Sequence, residues 1–162
     1  MALIKDRQVA TDDPWILVDD GDHVPSTGDV IVGLHRFLAD ESELRARAGR
    51  FGVRIDPTDE LDELATRLDG VALVAIHFPK FADGRGYTKA RLLRERYGFE
   101  GEMRAVGDVL ADQLYYMQRC GIDTFDLKQG KNPELAIACL SDLSVRYQGA
   151  VDEREPLYRR GR

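Results

Sequence analysis

The chain has few of the residues that bind metals and redox clusters. Its 162 residues include two cysteines, Cys120 and Cys139, and three histidines, at positions 23, 35 and 77. An iron–sulfur cluster needs about four thiolates, covalent haem needs a Cys-x-x-Cys-His motif, and the histidines lack metal-ligand spacing. We therefore predict no metal and no cofactor within the chain, so that any redox role needs an organic cofactor or a partner that carries the electrons.

Long apolar runs, a signal-peptide pattern and an excess of positive charge are also missing. The longest apolar run, at positions 71–76, is far too short to span a bilayer, and charged residues at positions 5–7 interrupt any apolar leader. A net charge of −6 argues against general nucleic-acid binding. We expect a cytoplasmic protein that binds neither membranes nor nucleic acids.

The signatures of several common enzyme families are absent as well. No G-x-G-x-x-G sequence follows a predicted strand, and neither a Walker loop nor a G-x-S-x-G nucleophile elbow occurs. A nucleotide cofactor or a catalytic serine therefore has no local motif to support it.

What the sequence does contain is an alternation of strand-like and helix-like patterns. Short segments rich in β-branched residues predict strands at positions 30–32, 52–55, 71–76, 103–106, 124–127 and 145–147. With helices between them, these strands predict right-handed βαβ crossovers and an α/β fold with a largely parallel sheet of βα units. Because a complete eight-unit barrel needs about 250 residues, an open three-layer sheet and a partial barrel are the two alternatives.

The N-terminus predicts a β-hairpin that precedes this sheet. Apolar residues at the start of the chain come before a turn at positions 12–14, and the Trp15–Val18 segment then has a strand pattern. By length, residues 1–150 form a single α/β domain that includes the hairpin. The charged residues 151–162 predict a flexible tail.

Two helices are predicted to begin at a capping residue followed by proline. The pair Asp56-Pro57 precedes one helical pattern, and the pair Asn132-Pro133 precedes another. Asp and Asn side chains cap helix N-termini, and the missing N–H of proline has no cost in the first turn. We therefore predict helices that start at positions 57 and 133.

A glycine-arginine loop connects a predicted strand to a predicted helix. Gly84 and Gly86 let the backbone turn tightly and approach a ligand. The helix that follows would direct free N–H groups at an anion, and Arg85 would add a charge-assisted donor. An ordinary surface turn has the same composition, so both interpretations stay open.

Ligands of open parallel sheets bind beyond the carboxyl ends of the strands, which nominates a rim of residues here. The residues at or after the ends of three predicted strands are His77, Lys80, Asp83, Arg85, Tyr87, Arg104, Gly107, Asp108, Asp126 and Lys128. If the strands are neighbours, these groups converge. Lys80, Arg85 and Arg104 would then bind an oxyanion such as sulfite, a phosphate, or an acidic patch on a partner.

Several of these residues also have a purely structural interpretation. A lone histidine after an apolar strand, such as His77, is more often packed than catalytic. Asp108 is placed to cap a helix, and Arg104 could pair with Asp108 across their turn. On the next helix, Gln113 and Arg119 lie on the polar side and are candidate contacts for a partner.

The middle of the chain resembles a bacterial family. The residues that carry the resemblance are Asp83-Gly84-Arg85-Gly86-Tyr87, Ala90-Arg91-Leu92-Leu93-Arg94, Arg104-Ala105-Val106-Gly107-Asp108-Val109-Leu110, Asp112-Gln113-Leu114 and Met117-Gln118-Arg119-Cys120-Gly121. This pattern, closest between positions 78 and 127, is similar to the bacterial domain-of-unknown-function family numbered 934. Descriptions of that family place it in sulfite reduction, as oxidoreductases without a settled reaction.

The resemblance implies two hypotheses. In the first, the protein is an accessory of assimilatory sulfite reduction, and so of sulfate assimilation and cysteine biosynthesis, that docks on the sulfite reductase haemoprotein or its electron donor. In the second, it is a small-molecule oxidoreductase with a flavin or nicotinamide and an Arg-lined anion site. A homo-oligomer is compatible with both.

Overall fold

Eight strands form one sheet that curls into a half-barrel in the computed structural model, which describes residues 2–141 and 145–160. The strands are β1 (Ala2–Lys5), β2 (Gln8–Val9), β3 (Trp15–Val18), β4 (Asp29–Gly33), β5 (Phe51–Ile55), β6 (Leu73–Phe78), β7 (Glu102–Gly107) and β8 (Thr124–Leu127). The helices are α1 (Leu34–Ala46), α2 (Leu61–Ala65), α3 (Arg85–Glu95), α4 (Leu114–Arg119) and α5 (Pro133–Cys139), with short 3-10 helices at Ala111–Gln113 and Leu157–Arg159.

The sheet is parallel except at its N-terminal edge. Its strand order is β2-β1-β8-β7-β6-β5-β4-β3, and the six strands from β3 to β8 pair in parallel. Only β1 pairs antiparallel, with β2 on one side and β8 on the other. The predicted α/β fold, with its largely parallel sheet and N-terminal hairpin, is confirmed, and the sheet takes the partial-barrel alternative.

The hairpin is shorter than predicted and has a different second arm. It consists of β1 and β2, and its turn is Asp6-Arg7, where both residues have positive φ (52° and 59°), as the tight turns of hairpins require. Trp15–Val18 is a strand, but it lies parallel to β4 at the opposite edge of the sheet. The turn pattern at positions 12–14 predicted a change of direction correctly, but a turn does not specify which strand the chain joins next.

One face of the sheet packs against the helices and forms the main core. Alternate strand residues such as Val53, Val74 and Phe125 are at most 2% exposed, and they join helix residues such as Phe37 and Leu93 in one cluster. Burial of a side chain of this size contributes about 1.5–3 kcal/mol. This face therefore holds the sheet and the helices together.

The opposite face of the sheet carries no helix in the described part of the chain, and we call it the open face. Leu73 and Ala75 of β6 lie on it, at most 1% exposed, and pack with Ile31 of β4 in a second, smaller cluster. Val74 and Ile76 of the same strand belong to the main core. The prediction that this apolar strand is buried on both faces is confirmed.

The two predicted helix starts have different outcomes. Asn132 caps α5, since its side-chain oxygen accepts a hydrogen bond from the Leu135 backbone N–H at 3.0 Å. Asp56 caps no helix: positions 57 and 58 form a turn, and α2 begins at Leu61. The physical reason is that the Asp56 carboxylate contacts His77 instead. A contact across the sheet has replaced the local cap.

Two further predictions of secondary structure are corrected. The helix predicted at 109–120 is divided into a 3-10 helix, Ala111–Gln113, and α4, Leu114–Arg119. No strand forms at positions 145–147, which lie in an irregular segment. An apolar triplet alone was too weak a pattern to predict a strand there.

Candidate functional site

The open face contains a hollow of about 460 Å³. Its apolar wall comes from Trp15 and Leu17 of β3, Ile31 of β4, Ala75 of β6 and Val106 of β7. Side chains two positions apart on a strand share a face, so the strand alternation that builds the core on one side lines the hollow on the other. Small-molecule sites typically have volumes of about 300–1,000 Å³, and the hollow lies within that range.

Charged and polar side chains form the rest of the wall. They are Asp13, Arg54, His77, Arg104, Asp126, Lys128 and Gln129, and Gly107 and Leu127 also line the hollow. His77 lies beside Val106 in the parallel register, and Arg104 lies between Ala75 and Thr124. The polar groups are therefore concentrated where β5, β6, β7 and β8 run side by side.

The Asp56 carboxylate joins two of these groups into one cluster. Its Oδ1 lies 2.5 Å from Nδ1 of His77, and its Oδ2 lies 3.4 Å from Nη2 of Arg54. A carboxylate on one ring nitrogen orients an imidazole and leaves the other nitrogen for a ligand. In this cluster, Nε2 of His77 is the nitrogen left for a ligand.

Gly107 provides room at the edge of the His77 ring. It has a φ of +99°, and a Cβ at this position would lie 2.8 Å from Cδ2 and 3.1 Å from Nε2 of His77, and 2.5 Å from the Phe78 carbonyl oxygen. Any side chain here would be strained and would collide with the ring. Glycine at this position thus leaves the edge of the His77 ring uncovered.

Two arginines of the open face differ in how well their charge is satisfied. Arg104 is buried: its guanidinium bonds both oxygens of Asp13 at 2.6 and 3.0 Å and Oε1 of Glu102 at 2.7 and 2.9 Å. Nε of Arg54 is buried without a hydrogen-bond partner within residues 2–141 and 145–160. A buried unsatisfied donor is costly, so Arg54 is the arginine with unused binding capacity.

Asp126 is a further half-buried group in the hollow. Its carboxylate makes no hydrogen bond or ion pair with the residues that the structure describes. Burial raises the pKa of Asp126, and the nearby charge of Arg104 opposes this rise in part.

The predicted rim is only partly assembled. Five of its residues, His77, Arg104, Gly107, Asp126 and Lys128, line the hollow. Two carboxylates already surround the buried guanidinium of Arg104, and its role in binding an anion stays a prediction.

Asp108 has neither of its two predicted structural roles. It does not pair with Arg104, and it caps no helix. Its carboxylate instead accepts hydrogen bonds from Nζ of Lys128 at 2.8 Å and from the Phe81 backbone N–H at 3.1 Å.

The glycine-arginine loop lies away from the hollow, and its charged side chains pair with each other. Arg85 bonds both oxygens of Asp83, at 2.7 and 3.0 Å, and this bonding lowers the pKa of Asp83 to about 2. A Cβ on Gly86 would lie 2.6 Å from the Phe78 ring, so this glycine allows α3 to approach β6. Lys80 in the same region is exposed.

The predicted partner contacts on the helical side are engaged within the chain. Gln113 is buried and bonds the Tyr87 hydroxyl at 3.2 Å and the Leu110 N–H at 3.1 Å. Arg119 pairs with Asp152 at 2.9 Å, and both side chains are at most 13% exposed. Neither Gln113 nor Arg119 therefore presents a solvated surface to a partner.

Sequence reasoning missed Arg54 and Asp56 as site residues. Both face the hollow side of the sheet, because they alternate with the core residues Val53 and Ile55 along β5. A charged residue in the middle of an apolar strand was the signal that could have identified Arg54. Asp56 was assigned to a helix cap, which its local sequence equally supports.

Two kinds of feature do not occur in the described part of the chain. No three His, Cys, Asp or Glu side chains there are arranged to hold a metal ion. No helix there is long and apolar enough to cross a membrane. For an organic cofactor, the hollow with Trp15, Arg54 and His77 is the place where residues could hold one.

Fold and site together define a class of protein: an α/β half-barrel of mainly parallel strands with a ligand-sized hollow on its open face. A family model described as "Bacterial protein of unknown function (DUF934)" matches residues 52–158, and the chain belongs to this family. The match includes Arg54, Asp56, His77 and Asp126. It begins after β3 and β4, so it does not include the residues that these two strands contribute to the hollow. A search of curated proteins finds no match.

Proposed function

We propose that the protein is a cytoplasmic accessory of assimilatory sulfite reduction, which docks on the sulfite reductase haemoprotein and aids the delivery of electrons to it. The resemblance in the middle of the chain supports the pathway. Few thiols and histidines support a role beside a cofactor-carrying enzyme.

The observation that carries the docking role is the β3 edge of the sheet. Ile16 and Leu17 are 56% and 51% exposed, on opposite faces of this strand. Within the described residues, no strand pairs with the outer side of β3. A sheet edge with unpaired N–H and C=O groups and exposed apolar side chains is a typical surface for adding a strand from a partner.

The pathway is tested by deletion of the gene. The deletion strain is expected to fail on sulfate or sulfite as sulfur source and to recover with cysteine or sulfide. Normal growth on sulfite alone would contradict the proposal.

Docking at β3 is tested by co-purification with the sulfite reductase haemoprotein from the native cell. Ile16→Lys places a charge on the β3 edge and is expected to abolish co-purification. Val9→Lys is the matched control, because Val9 is 41% exposed on β2 at the other edge. Equal loss in both variants, or in neither, would show that the β3 edge is not the docking surface.

The hollow favours a second candidate, a small-molecule oxidoreductase with an organic cofactor. Its volume of 460 Å³ and its lining by Trp15, Arg54 and His77 suit a small organic molecule. In this candidate the anion site rests on Arg54, since Arg104 is already paired. A flavin absorption band in the pure native protein would favour this candidate over the accessory role.

A further inference from the structure

We propose that the hollow on the open face binds a small organic anion, with the oxyanionic head on Arg54 and His77 and an apolar body against β3, β4 and β7. This inference does not depend on the accessory role or on sulfite reduction. It rests on the division of the hollow into a charged end and an apolar end.

The charged end has unused donors. Nε of Arg54 is buried and has no hydrogen-bond partner in the described chain, and the nearest carboxylate, Asp56, is 3.4 Å from Nη2 and is shared with His77. The Arg54 side chain as a whole is 30% exposed and lines the hollow, so its guanidinium can donate a charge-assisted hydrogen bond to a ligand oxyanion. Because Asp56 occupies Nδ1 of His77, Nε2 is available for a second hydrogen bond to the same head.

The remaining charges around the hollow are largely neutralised by their own partners. Arg104 is bonded to Asp13 and Glu102, and Lys128 lies 2.8 Å from Asp108. Asp126 is a carboxylate without such a partner among the described residues, but it lies near the charge of Arg104 and on β8, three strands away from Arg54 of β5 in the sheet order. Arg54 is therefore the cation of the hollow for which a bound oxyanion would be a new hydrogen-bond partner.

The apolar end favours an organic molecule over a bare inorganic ion. Leu17, Ile31 and Val106 line the hollow together with the Trp15 ring. A volume of 460 Å³ exceeds what a sulfite or phosphate ion needs, since one water occupies about 30 Å³ in the liquid. A carboxylate, sulfonate or phosphate on an apolar body would fill both ends.

The chain has a built-in reporter for this site. Trp15 is its one tryptophan and lines the hollow, so energy transfer from tryptophan to a bound fluorophore reports binding, and variants of the hollow locate it. The probe is 8-anilinonaphthalene-1-sulfonate, which has an apolar body and a sulfonate head. N-phenyl-1-naphthylamine, with nearly the same body and no sulfonate, is the neutral comparison.

The test is a fluorescence titration of the wild type, Arg54→Gln and Arg85→Gln with both probes. Arg54→Gln is expected to weaken sulfonate binding by roughly tenfold or more, as for the loss of one charge-assisted hydrogen bond, and to leave the neutral probe unaffected. Arg85→Gln is the control, because Arg85 is an exposed arginine outside the hollow. Wild-type sulfonate affinity in Arg54→Gln, or an equal loss in both variants, overturns the proposal.

A second pair of variants tests the apolar end independently of Arg54. Leu17→Glu places a carboxylate in the hollow and is expected to weaken sulfonate binding. Ile16→Glu adds the same charge on the opposite face of the same strand and is expected to change it little. Both side chains are more than half exposed, so neither change removes core packing. Equal affinities of the two variants would contradict the proposed location.

Discussion

The glycine-arginine loop at positions 83–87 and the open-face cluster of Arg54, Asp56 and His77 both contain an arginine and an aspartate. The two regions differ in whether the hydrogen-bond donors of the arginine have partners. In the loop, Arg85 bonds both oxygens of its own neighbour Asp83, so the charges cancel locally. In the cluster, one carboxylate is shared between an imidazole and a guanidinium, and Nε of Arg54 is left without a partner among the described residues. A charged motif becomes a candidate site where the fold leaves a donor unsatisfied.

The largest effect is expected from Arg104→Ala on the open face. Removal of the guanidinium leaves the carboxylates of Asp13 and Glu102 without their buried cation. Breaking a buried pair costs about 3–5 kcal/mol, and we expect about 3 kcal/mol because Asp13 keeps 34% of its side-chain exposure. Urea unfolding measures the loss.

Two variants bracket that prediction. Leu114→Ala, at a fully buried position, should cost about 2–5 kcal/mol as a core truncation, and Arg85→Ala about 0.5 kcal/mol or less as a surface change. If Arg104→Ala behaves like Arg85→Ala, Arg104 is not the structural ion-pair residue described here, and its role as an anion binder must be reconsidered.

An intermediate effect on stability is expected from glycine substitutions. These substitutions should also differ between the two regions. Gly107→Ala puts a Cβ 2.5 Å from the Phe78 carbonyl oxygen at a φ of +99°, a strained arrangement that costs on the order of 1–3 kcal/mol. Gly84→Ala in the loop has a φ of −81° and meets only Tyr87 Cδ2, at 4.0 Å. It should be neutral or stabilise by up to about 1 kcal/mol. Melting temperatures compare them, and the reverse order would contradict the close approach of Gly107 to His77.

The smallest effect is expected from Asp83→Asn in the loop, and it depends on pH. The hydrogen bonds from Arg85 lower the pKa of Asp83 from 3.8 to about 2. A carboxylate whose pKa is depressed in the folded state stabilises it above the unfolded pKa, and this contribution is lost as the pH falls through the folded pKa. The variant should melt slightly below the wild type at pH 7, and the difference should decrease as the pH falls from about 4 through 2.

Melting temperatures from pH 2 to pH 7 measure that difference, and salt should reduce it, because Arg85 is exposed. Arg85→Gln provides the control: in its background, Asp83→Asn should no longer change the pH dependence. A difference at pH 2 as large as the one at pH 7 would mean that the effect of Asp83 is not electrostatic.

Local sequence patterns predicted the elements of the fold better than their partners. The apolar run of β6 predicted a strand buried on both faces, and Asn132-Pro133 predicted the start of α5; both are confirmed. Asp56-Pro57 is an equally good local cap, yet Asp56 contacts His77, 21 positions away. A local pattern predicts structure reliably only where no distant group competes for the same side chain.

By itself, the sequence determined the α/β class, the mainly parallel sheet, the presence of a hairpin and the family, because strand and helix periodicity and a run of family residues are local properties. Only the tertiary structure decided that β3 lies at the far edge, that the sheet curls into a half-barrel, and which arginine is satisfied. Arg104 finds Asp13 across 91 positions, whereas Arg54 keeps a donor without a partner in the described chain. The physical reason is that charges are matched by contacts across the sheet, and those contacts exist only after the strands have assembled.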